Sequence, residues 1–426
     1  MSEEVLEEIC ISNRLSPLSR LDRCKLTYES CETLASALQT PNSPLRELDL
    51  SNNDLGDRGV KLLCVGLTSP LCNIQTLVLA RCKLTYESCE TLASALQTPN
   101  SPLRELDLSY NDLGDRGVKL LCVGLTSPLR NIQTLILDHC NLTYESCEAL
   151  ASALQKPNPP LRELDLSYND LGDRGVELLC VGLTSPLRNI QTLVLGQCGL
   201  TEGCCSDLAS VLSSPNSQLK QLELRDNDLQ DSGVTLLSAG LEDPDCKLHT
   251  LGLSGCLVTE EGCAALSSAL RSYPSHLKEL DLSYNHPGDS AGGLLSAALV
   301  DPTYKLMKLK LDGCTLTYES CESLASALQT PNGPLRELDL SYNDLGDRGV
   351  KLLCVGLTSP LCNIQTLVLD RCELTYESCE TLASALQTPN SPLRDLDLSY
   401  NDLGDRGVEL LCVGLTSPLC NIQTLV

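Results

Sequence analysis

Two short stretches decide the fold: Leu45-Arg-Glu-Leu-Asp-Leu-Ser-Asn-Asn53-Asp-Leu55 and Ile74-Gln-Thr-Leu-Val-Leu-Ala-Arg-Cys82-Lys-Leu84. Each has aliphatic residues at its first, fourth, sixth and last places, and an asparagine or a cysteine two places before its end. Around Leu48 and Leu50 apolar and polar residues alternate, so the leucines enter a core while the residue between them faces solvent. Each stretch therefore predicts a short β-strand that ends in a turn.

The second stretch starts 29 residues after the first, and the pair recurs every 58 residues along the chain. The first stretches of successive pairs begin, without any insertion, at Leu45, Leu103, Leu161, Leu219, Leu277, Leu335 and Leu393. Such a period is typical of repeat proteins, in which one unit cannot bury its apolar side chains until neighbours stack against it. The 426-residue chain is therefore predicted to be a linear array rather than one compact core.

The period divides the chain into four segments. We expect an acidic N-terminal lead-in at residues 1–15, a degenerate first repeat at 16–44, thirteen complete 29-residue repeats at 45–421 and a truncated repeat start at 422–426. Because the last segment stops inside a predicted strand, Leu425 and Val426 would lie on an open edge. The chain is therefore expected to be a fragment or an incomplete product.

Each strand is followed by a predicted helix. In the first half of a pair, apolar residues recur at i, i+3, i+4 and i+7, namely Val60, Leu63, Cys64 and Leu67. Asp57 is expected to cap the start of this helix, and Pro70 is expected to end it. Thr85 is expected to cap the helix of the second half. Each repeat is thus predicted to contain a strand, a turn, a helix and a return loop.

Stacking these repeats predicts an α/β fold with two layers. The strands would form one parallel sheet, and the helices would form a second layer. Neighbouring strands lie about 4.8 Å apart whereas packed helices need about 10 Å, so the array must bend with its strands inside. The predicted architecture is a horseshoe with the parallel sheet on the concave side and the helices on the convex side.

One position after each strand holds an asparagine in the first repeat of each 58-residue pair and a cysteine in the second repeat. The amides are Asn53, Asn111, Asn169, Asn227, Asn285, Asn343 and Asn401. The thiols are Cys24, Cys82, Cys140, Cys198, Cys256, Cys314 and Cys372. A buried amide can satisfy the backbone groups of a turn, and a buried cysteine behaves as a small apolar residue. Both sets are interpreted as structural.

The 25 cysteines are predicted to be free thiols. Equivalent cysteines lie two repeats, about 10 Å, apart, which exceeds the reach of a disulfide and of shared tetrahedral metal ligation. This spacing indicates a reducing compartment. The N-terminal residues carry no apolar run typical of a secretory signal, and no stretch of about 18 apolar residues occurs. We therefore expect a soluble, cytoplasmic protein.

The chain is strongly acidic, with a formal net charge of −25 and a predicted pI of about 4.5. This charge argues against nucleic acid and against an anionic membrane as the partner. It favours a protein with a basic surface. The alternative is that the acidic surface only keeps the array in solution.

No apparatus for catalysis is visible in the sequence. Neither a G-x-x-x-x-G-K-[ST] loop nor a G-x-G-x-x-G loop occurs, and the four histidines, His139, His249, His276 and His286, occupy unrelated repeat positions. We therefore predict no catalytic residues, no cofactor and no metal, and a protein that is not an enzyme. An enzyme with an unrecognised site is the disfavoured alternative.

The candidate partner-binding residues are those that the strands would expose on the concave face, together with a tyrosine just beyond each strand. They are Glu47, Asp49, Glu105, Asp107, Tyr110, Glu163, Asp165, Tyr168, Glu279, Asp281, Tyr284, Glu337, Asp339, Tyr342, Asp395, Asp397 and Tyr400. Columns of carboxylates would steer a cationic partner, and tyrosine is enriched at interface hot spots. Alternatively, the tyrosines only cover the strand ends.

Both opening stretches fit L-x-x-L-x-L-x-x-N/C-x-L, the signature of leucine-rich repeats. The alternation of an asparagine half with a cysteine half resembles ribonuclease-inhibitor-type repeats over almost all of residues 16–426. Stretches such as Leu257-Val-Thr-Glu-Glu-Gly-Cys263 look like the C-terminal repeats of NOD-like receptors, the NACHT and leucine-rich-repeat family. This resemblance implies a non-enzymatic protein-binding scaffold that senses ligands or restrains a receptor in innate immunity. It covers the repeats only, because no NACHT module is present.

The ribonuclease inhibitors are the competing resemblance. They are similar to this chain in being acidic, rich in thiols and cytosolic, and the resemblance implies that an acidic concave face would occlude a basic ribonuclease. The absence of tryptophan disfavours this interpretation, because the inhibitors are thought to use concave aromatic residues.

Overall fold

The computed structural model describes residues 18–99, 101–127, 131–155, 160–185, 189–272, 276–289, 293 and 305–426. The chain divides into two compact units, which are Met1–Leu200 with Asn216–Leu219, and Thr201–Pro215 with Lys220–Val426. The predicted lead-in at residues 1–15 lies outside the described residues. Our division of the array into thirteen complete repeats with incomplete ends remains a proposal.

The first unit alternates short strands with helices. Its strands are β1 (Leu18–Arg20), β2 (Glu47–Asp49), β3 (Thr76–Val78), β4 (Glu105–Asp107), β5 (Thr134–Ile136), β6 (Glu163–Asp165) and β7 (Thr192–Val194). Its helices are α1 (Tyr28–Leu38), α2 (Gly56–Leu67), α3 (Tyr86–Leu96), α4 (Gly114–Leu125), α5 (Tyr144–Leu154) and α6 (Gly172–Leu183). Each strand pairs in parallel with the next one along the chain.

The second unit repeats the same alternation. Its strands are β8 (Gln221–Glu223), β9 (Thr250–Gly252), β10 (Glu279–Asp281), β11 (Lys308–Lys310), β12 (Glu337–Asp339), β13 (Thr366–Val368), β14 (Asp395–Asp397) and β15 (Thr424–Leu425). Its helices are α7 (Cys205–Leu212), preceded by a 3₁₀ turn at Glu202–Cys204, then α8 (Gln230–Leu241), α9 (Glu260–Ser272), α10 (Tyr318–Leu328), α11 (Gly346–Leu357), α12 (Tyr376–Leu386) and α13 (Gly404–Leu415). These strands also pair in parallel, each with the next.

The core of each unit is aliphatic and lies between the sheet and the helices. Leu48 on β2 and Leu50 directly after it are buried, whereas Glu47 and Asp49 point outward. The helical stripe predicted for α2, namely Val60, Leu63, Cys64 and Leu67, is also buried. The α/β leucine-rich-repeat fold predicted from the period is therefore confirmed, with a parallel sheet as one layer and helices as the other.

The repeated asparagine links neighbouring repeats through its amide. The Asn111 side-chain oxygen accepts hydrogen bonds from the backbone N–H groups of Cys82 and Leu84, both at 3.0 Å. Its amide nitrogen donates to the carbonyl oxygens of Leu79 at 2.9 Å and Leu108 at 2.8 Å. Asn111 is buried, so these backbone groups have no access to water. The structural role predicted for these asparagines is confirmed.

The cysteine at the same position also contacts the preceding repeat. The Cys82 thiol is fully buried and donates to the carbonyl oxygen of Leu50 at 3.2 Å. Burial raises the pKa of this thiol to about 12, and burial likewise raises the pKa of Cys314 to about 12. None of the 24 cysteines among the described residues is joined in a disulfide. The repeated cysteines are thus core residues, as predicted.

Asp57 does not cap its own helix, contrary to the sequence prediction. Leu55 stands at the start of α2 and provides no side-chain cap. The Asp57 carboxylate reaches the next repeat, where it accepts hydrogen bonds from the Thr85 backbone N–H at 2.9 Å, the Thr85 hydroxyl at 2.8 Å and the Ser88 hydroxyl. Thr85 caps α3 as predicted. The alignment of neighbouring repeats determines which helix start this carboxylate stabilises. The sequence of one helix does not show that alignment.

Replacing Asn111→Ala should destabilise its turn, because it leaves buried N–H and C=O groups without partners at about 1–3 kcal/mol each. We expect the free energy of local unfolding around residues 79–113 to fall by about 3 kcal/mol, measured by hydrogen exchange. The control is Ser94→Ala on α3, which removes one hydrogen bond from an exposed hydroxyl to the Glu90 carbonyl oxygen. That control should change the same free energy by less than about 0.5 kcal/mol, and equal effects of the two changes would contradict the structural role.

The Asp347 contacts, equivalent to those of Asp57, predict a pH dependence. Partial burial alone would raise the pKa of Asp347, but hydrogen bonds from Ser378 and Thr375 outweigh it and lower the pKa. A lowered pKa means that the stabilisation is complete above about pH 4 to 5 and is lost as the pH falls through the folded-state pKa. Asp347→Asn should therefore lower the free energy of unfolding by about 1 kcal/mol at pH 7, a value already reduced for solvent screening.

The deficit in the free energy of unfolding of Asp347→Asn, relative to the parent chain, should shrink as the pH is lowered toward about 3. It is measured by urea titrations followed by circular dichroism. The exposed neighbour Asp344→Asn is the control, because Asp344 makes no such contacts with a helix start in the described residues. A deficit that stayed constant from pH 7 to 3 would contradict the capping role.

Thiol reactivity should follow burial. We expect iodoacetamide at about pH 8 to modify exposed Cys412 first, and then half-exposed Cys24 and Cys420. Cys82 and Cys314 should resist, because a pKa of about 12 leaves roughly one thiol in ten thousand ionised at that pH. Peptide mapping by mass spectrometry measures the order, and urea-unfolded protein is the control. Uniform modification of the folded chain would contradict the buried thiols.

Candidate functional site

The outward side of each sheet, called the strand face below, carries two rows of side chains in the first unit. One row reads Glu47, Thr76, Glu105, Thr134, Glu163 and Thr192, and the other reads Asp49, Val78, Asp107, Ile136, Asp165 and Val194. All six carboxylates are exposed or half-exposed. Neither row contains a lysine or an arginine between β2 and β7, and the cation at the end of the second row is Arg20 on β1, which pairs with Asp49.

The strand face of the second unit is acidic but interrupted by two lysines. Its rows read Gln221, Thr250, Glu279, Lys308, Glu337, Thr366 and Asp395, and Glu223, Gly252, Asp281, Lys310, Asp339, Val368 and Asp397. Lys308 lies 2.9 Å from a Glu337 oxygen, and Lys310 lies 3.1 Å from an Asp281 oxygen. The structure thus brings the predicted carboxylates together on one face and adds two cations that the sequence prediction did not include.

The aspartates of these rows also hold the turn that follows each strand. Asp49 accepts hydrogen bonds through one oxygen from the Ser51 backbone N–H at 2.9 Å and from the Ser51 hydroxyl at 2.6 Å. Asp339 accepts from Ser341 in the same way, at 3.0 and 2.6 Å. These contacts restrict the side-chain freedom of Asp49 and Asp339 on the strand face.

The predicted tyrosines share one backbone conformation. Tyr110, Tyr168, Tyr284, Tyr342 and Tyr400 all have a left-handed φ, between 54° and 57°. Arg81, His139, Gln197 and Arg371 occupy the same position in the second halves and are also left-handed. A side chain in this conformation costs about 1–2 kcal/mol relative to the right-handed region, a cost that glycine avoids. The turn geometry therefore aims every side chain at this position in the same way.

These side chains stack on one another and form what we call the planar ladder. In the first unit the Arg81 guanidinium lies 4.0 Å from the Tyr110 ring centre, and the His139 ring stacks between Tyr110 at 4.1 Å and Tyr168 at 4.2 Å. In the second unit Arg371 lies 5.2 Å from Tyr342 and 4.5 Å from Tyr400. The sequence prediction identified the tyrosines but missed His139 and Arg371. Both residues could have been found from the sequence, because they occupy the same repeat position as the tyrosines, 29 residues away.

Open clefts adjoin the ladder on its helix side. One has a volume of about 600 Å³ and is lined by His139, Asn141, Leu142, Thr143, Tyr168, Asn169, Asp170, Gln197 and Gly199. Its equivalent in the second unit has about 530 Å³ and is lined by Arg371, Glu373, Leu374, Thr375, Tyr400, Asn401 and Asp402. Both linings mix planar, polar and charged groups. Such surfaces suit side chains of a protein partner better than an apolar small molecule.

Some charges on the helix layer of the first unit have local partners. Lys119 on α4 lies 2.9 Å from Glu145 on α5, and Arg174 lies 2.6 Å from Glu177 within α6. The Arg116 guanidinium stacks 4.0 Å from the Tyr86 ring centre. The strand face is therefore the candidate site, because its charge is left for a partner to complement.

The sequence prediction missed acidic residues on the strand face of the second unit, among them Glu223 and Asp312. Glu223 lies over Gly252, where a Cβ atom would come within 1.7 Å of its carboxylate. Burial raises the pKa of Glu223, and burial also raises the pKa of Asp312 despite a hydrogen bond from Ser283. Glu223 could have been found from the register, because it follows Asp165 by 58 residues.

No three His, Cys, Asp or Glu side chains in the described ranges come close enough together to hold a metal ion. None of the helices described is long and apolar enough to cross a membrane.

Comparison with known proteins identifies the class. A family model described as Leucine Rich repeat matches residues 42–64, 100–122, 129–151, 158–180, 216–238, 273–295, 332–354 and 390–412. A chain in the crystal structure of the Rad7 and Elc1 complex in yeast has the same fold, with a TM-score of 0.53, 18% identity, and coverage of 94% of this chain and 89% of that one. Eight segments of the chain thus match leucine-rich repeats, and the chain has a leucine-rich-repeat fold.

Its repeats match the leucine-rich-repeat region of NOD-like receptors. They are 52% identical over 124 residues to human NACHT, LRR and PYD domains-containing protein 12, covering 29% of this chain and 12% of the relative. They are 52% identical over 116 residues to protein 3 of the same series in rat, covering 27% and 11%. Mouse ribonuclease inhibitor is 43% identical over 125 residues, covering 29% and 27%. The matches thus span about an eighth of the receptors and about a quarter of the inhibitor.

Proposed function

We propose that this chain is a non-enzymatic scaffold that binds a protein with a basic surface through its strand face. The observation that carries the proposal is the pair of acidic rows on β2, β4 and β6, which contain no lysine or arginine between β2 and β7. A surface of one sign speeds encounter with an oppositely charged protein and disfavours nucleic acid. The ladder tyrosines would supply the apolar contact area that charges alone do not provide.

The biological setting that we propose is the ligand-sensing or regulatory region of a NOD-like innate immune receptor type protein. The 52% identity to the repeats of the NACHT, LRR and PYD proteins supports it. The free thiols, which a reducing compartment preserves, support a cytoplasmic location. The partner would bind the fixed side chains of the strand face without reorganising the repeats.

A cytosolic ribonuclease inhibitor is the second candidate. The 43% identity to mouse ribonuclease inhibitor and the acidic strand face support it. Such an inhibitor would hold a basic ribonuclease against the carboxylate rows. The chain contains no tryptophan, so the aromatic contacts of the interface would fall to the ladder tyrosines and histidine.

The proposal is tested by neutralising the acidic rows of the first unit together, as Glu105→Gln, Asp107→Asn, Glu163→Gln and Asp165→Asn. We expect this variant to bind a pancreatic-type ribonuclease about tenfold more weakly than the parent chain at about 50 mM salt, because four weak charge contacts together contribute about 1.4 kcal/mol. The difference should shrink at high salt. Binding is measured by calorimetry, and inhibition of the ribonuclease is followed in parallel.

The matched control neutralises four exposed carboxylates on the helix layer instead, as Glu87→Gln, Glu90→Gln, Glu145→Gln and Glu148→Gln. It changes the net charge equally and should leave binding within about twofold of the parent. Salt-sensitive binding with inhibition would favour the inhibitor. Capture of a NACHT-containing fragment, without inhibition, would favour the receptor. Equal effects of the two sets of changes would refute the strand face as the site.

A further inference from the structure

The larger of the two clefts beside the planar ladder lies within the first unit and contains a carboxylate. The cleft has a volume of about 600 Å³, and Asp170 lines it from the turn that follows β6. Asp170 is exposed. No lysine or arginine lines the cleft among the residues that the structure describes. The cleft therefore presents a negative charge and supplies no cation of its own.

The aspartates at the same repeat position earlier in the unit are each held by a side chain of the following repeat. Lys83 Nζ lies 2.6 Å from an Asp54 oxygen. The Asn141 side-chain amide donates a hydrogen bond to Asp112 at 2.9 Å. Lys83 and Asn141 each lie 29 residues after their aspartate, and both have a left-handed backbone. A side chain at this position thus reaches back to the carboxylate of the preceding repeat.

Asp170 lacks such a partner because Gly199 stands 29 residues after it. Gly199 has the same left-handed backbone, with a φ of 68°. A Cβ atom at Gly199 would lie 3.6 Å from an Asp170 carboxylate oxygen, which is an ordinary contact distance. Within the described part of the chain, Asp170 bonds to a neighbouring repeat through its backbone, and its carboxylate has no hydrogen-bond or ion-pair partner.

The turn that carries the aspartate does not differ between these repeats. The sequence Asn-Asp-Leu-Gly-Asp-Arg-Gly is identical at residues 53–59, 111–117 and 169–175. The contrast between Asp170 and its two equivalents therefore comes from the facing position in the next repeat. Replacing a lysine or an asparagine by glycine there removes the internal donor and leaves its space open to solvent.

The groups around this space favour a lysine as the occupant. Lys83 shows that a carboxylate in this turn accepts an ammonium that arrives on a flexible stem. The Tyr168 ring also lines the cleft. A cation within about 6 Å of an aromatic ring is attracted to its face, as the Arg81 guanidinium lies 4.0 Å from the Tyr110 ring centre in the same ladder. An acidic side chain would be repelled here.

A metal ion fits the cleft less well. Calcium takes six to eight oxygen ligands, and magnesium takes six, at about 2.0–2.6 Å. The described residues contain no group of three His, Cys, Asp or Glu that could hold a metal ion. A lysine ammonium, by contrast, needs one carboxylate and can keep water on its remaining donors.

We propose that the cleft at Asp170 is a subsite for a lysine side chain of the protein partner. This inference rests on the proposed function, because it assigns one anchoring contact to the basic partner. The ammonium takes the place beside Asp170 that Lys83 Nζ takes beside Asp54. The lysine stem crosses the space above Gly199 and contacts the Tyr168 ring.

The test fills the cleft without changing the net charge. Gly199→Asn gives Asp170 the amide partner that Asn141 gives Asp112, and asparagine tolerates a left-handed backbone. The probe is an acetylated tetralysine peptide, cross-linked to the full chain by a carbodiimide at about 50 mM salt. In the parent chain we expect Asp170 to cross-link about fivefold more than Asp112, and Gly199→Asn should remove this excess.

Mass spectrometry distinguishes the two aspartates after cleavage at glutamate. Asp170 is released in the segment 164–177, because the chain has Glu177 where the repeat of Asp112 has Lys119. Fragment ions place the cross-link within each segment. In a parallel reaction hydroxylamine, which is largely uncharged at neutral pH, replaces the peptide and measures the intrinsic reactivity of each carboxylate. The ratio of the two yields then reports attraction of the ammonium rather than exposure.

Two further variants are matched to the first. Gly114→Asn makes the same change at another left-handed glycine of this unit, where an added Cβ would meet nothing within 4 Å. It should leave cross-linking of Asp170 within about twofold of the parent. Lys83→Gly makes the reverse change, and it should raise cross-linking of Asp54 about fivefold by removing its internal partner.

The outcomes distinguish this subsite from the broader proposal. Equal corrected cross-linking of Asp170 and Asp112 in the parent chain refutes the subsite, and so does an excess at Asp170 that persists in Gly199→Asn. An unchanged yield at Asp54 in Lys83→Gly refutes the assignment of this position to a lysine. If the ribonuclease still responds to neutralising the acidic rows, the proposed function stands without the subsite. If the cross-links behave as expected but the ribonuclease does not bind, the lysine site stands and the proposed function fails.

Discussion

The structure depends on one interaction, the buried amide that ties each pair of repeats together. The amide of Asn111 satisfies N–H groups of the preceding repeat and carbonyl groups of both repeats, all without water. The chain must turn sharply after every strand, and a turn in a dry interior is stable only if its backbone groups find partners. Because the amide supplies them, the strands can be as short as three residues and still keep register with neighbours.

Rigid turns have a consequence for the surface. Once the amide or the cysteine thiol fixes the turn, the residue before it takes a left-handed conformation whether it is tyrosine, arginine, histidine or glycine. The side chain at that position can change without altering the fold. The ladder and the carboxylate rows are therefore the part of the molecule that is free to vary, and the near-identical copies at 45–102 and 335–392 differ only in the turns that carry them.

Electrostatics distinguishes the faces of the array. Some carboxylates on the helix layer meet a cation, as Glu145 meets Lys119 on the neighbouring helix and Glu177 meets Arg174 on its own helix. On β4 and β6 of the first unit, the carboxylates of the strand face stand between threonines and aliphatic residues. In the second unit Lys308 and Lys310 lie beside carboxylates of the strand face. The net charge of −25 is thus distributed unevenly over the surface. A positively charged partner gains the most binding free energy where carboxylates have no cation beside them.

The sequence by itself determined the repeat period, the inward leucines, the structural asparagines and cysteines, and the residues of the acidic rows, because all of these follow from spacing and side-chain alternation. The tertiary structure decided what spacing does not encode. It showed that Asp57 caps the helix of the next repeat and that His139 and Arg371 join the tyrosines in a ladder. These facts depend on side chains 29 residues apart meeting across stacked repeats, and such contacts are set by packing and orientation rather than by position along the chain.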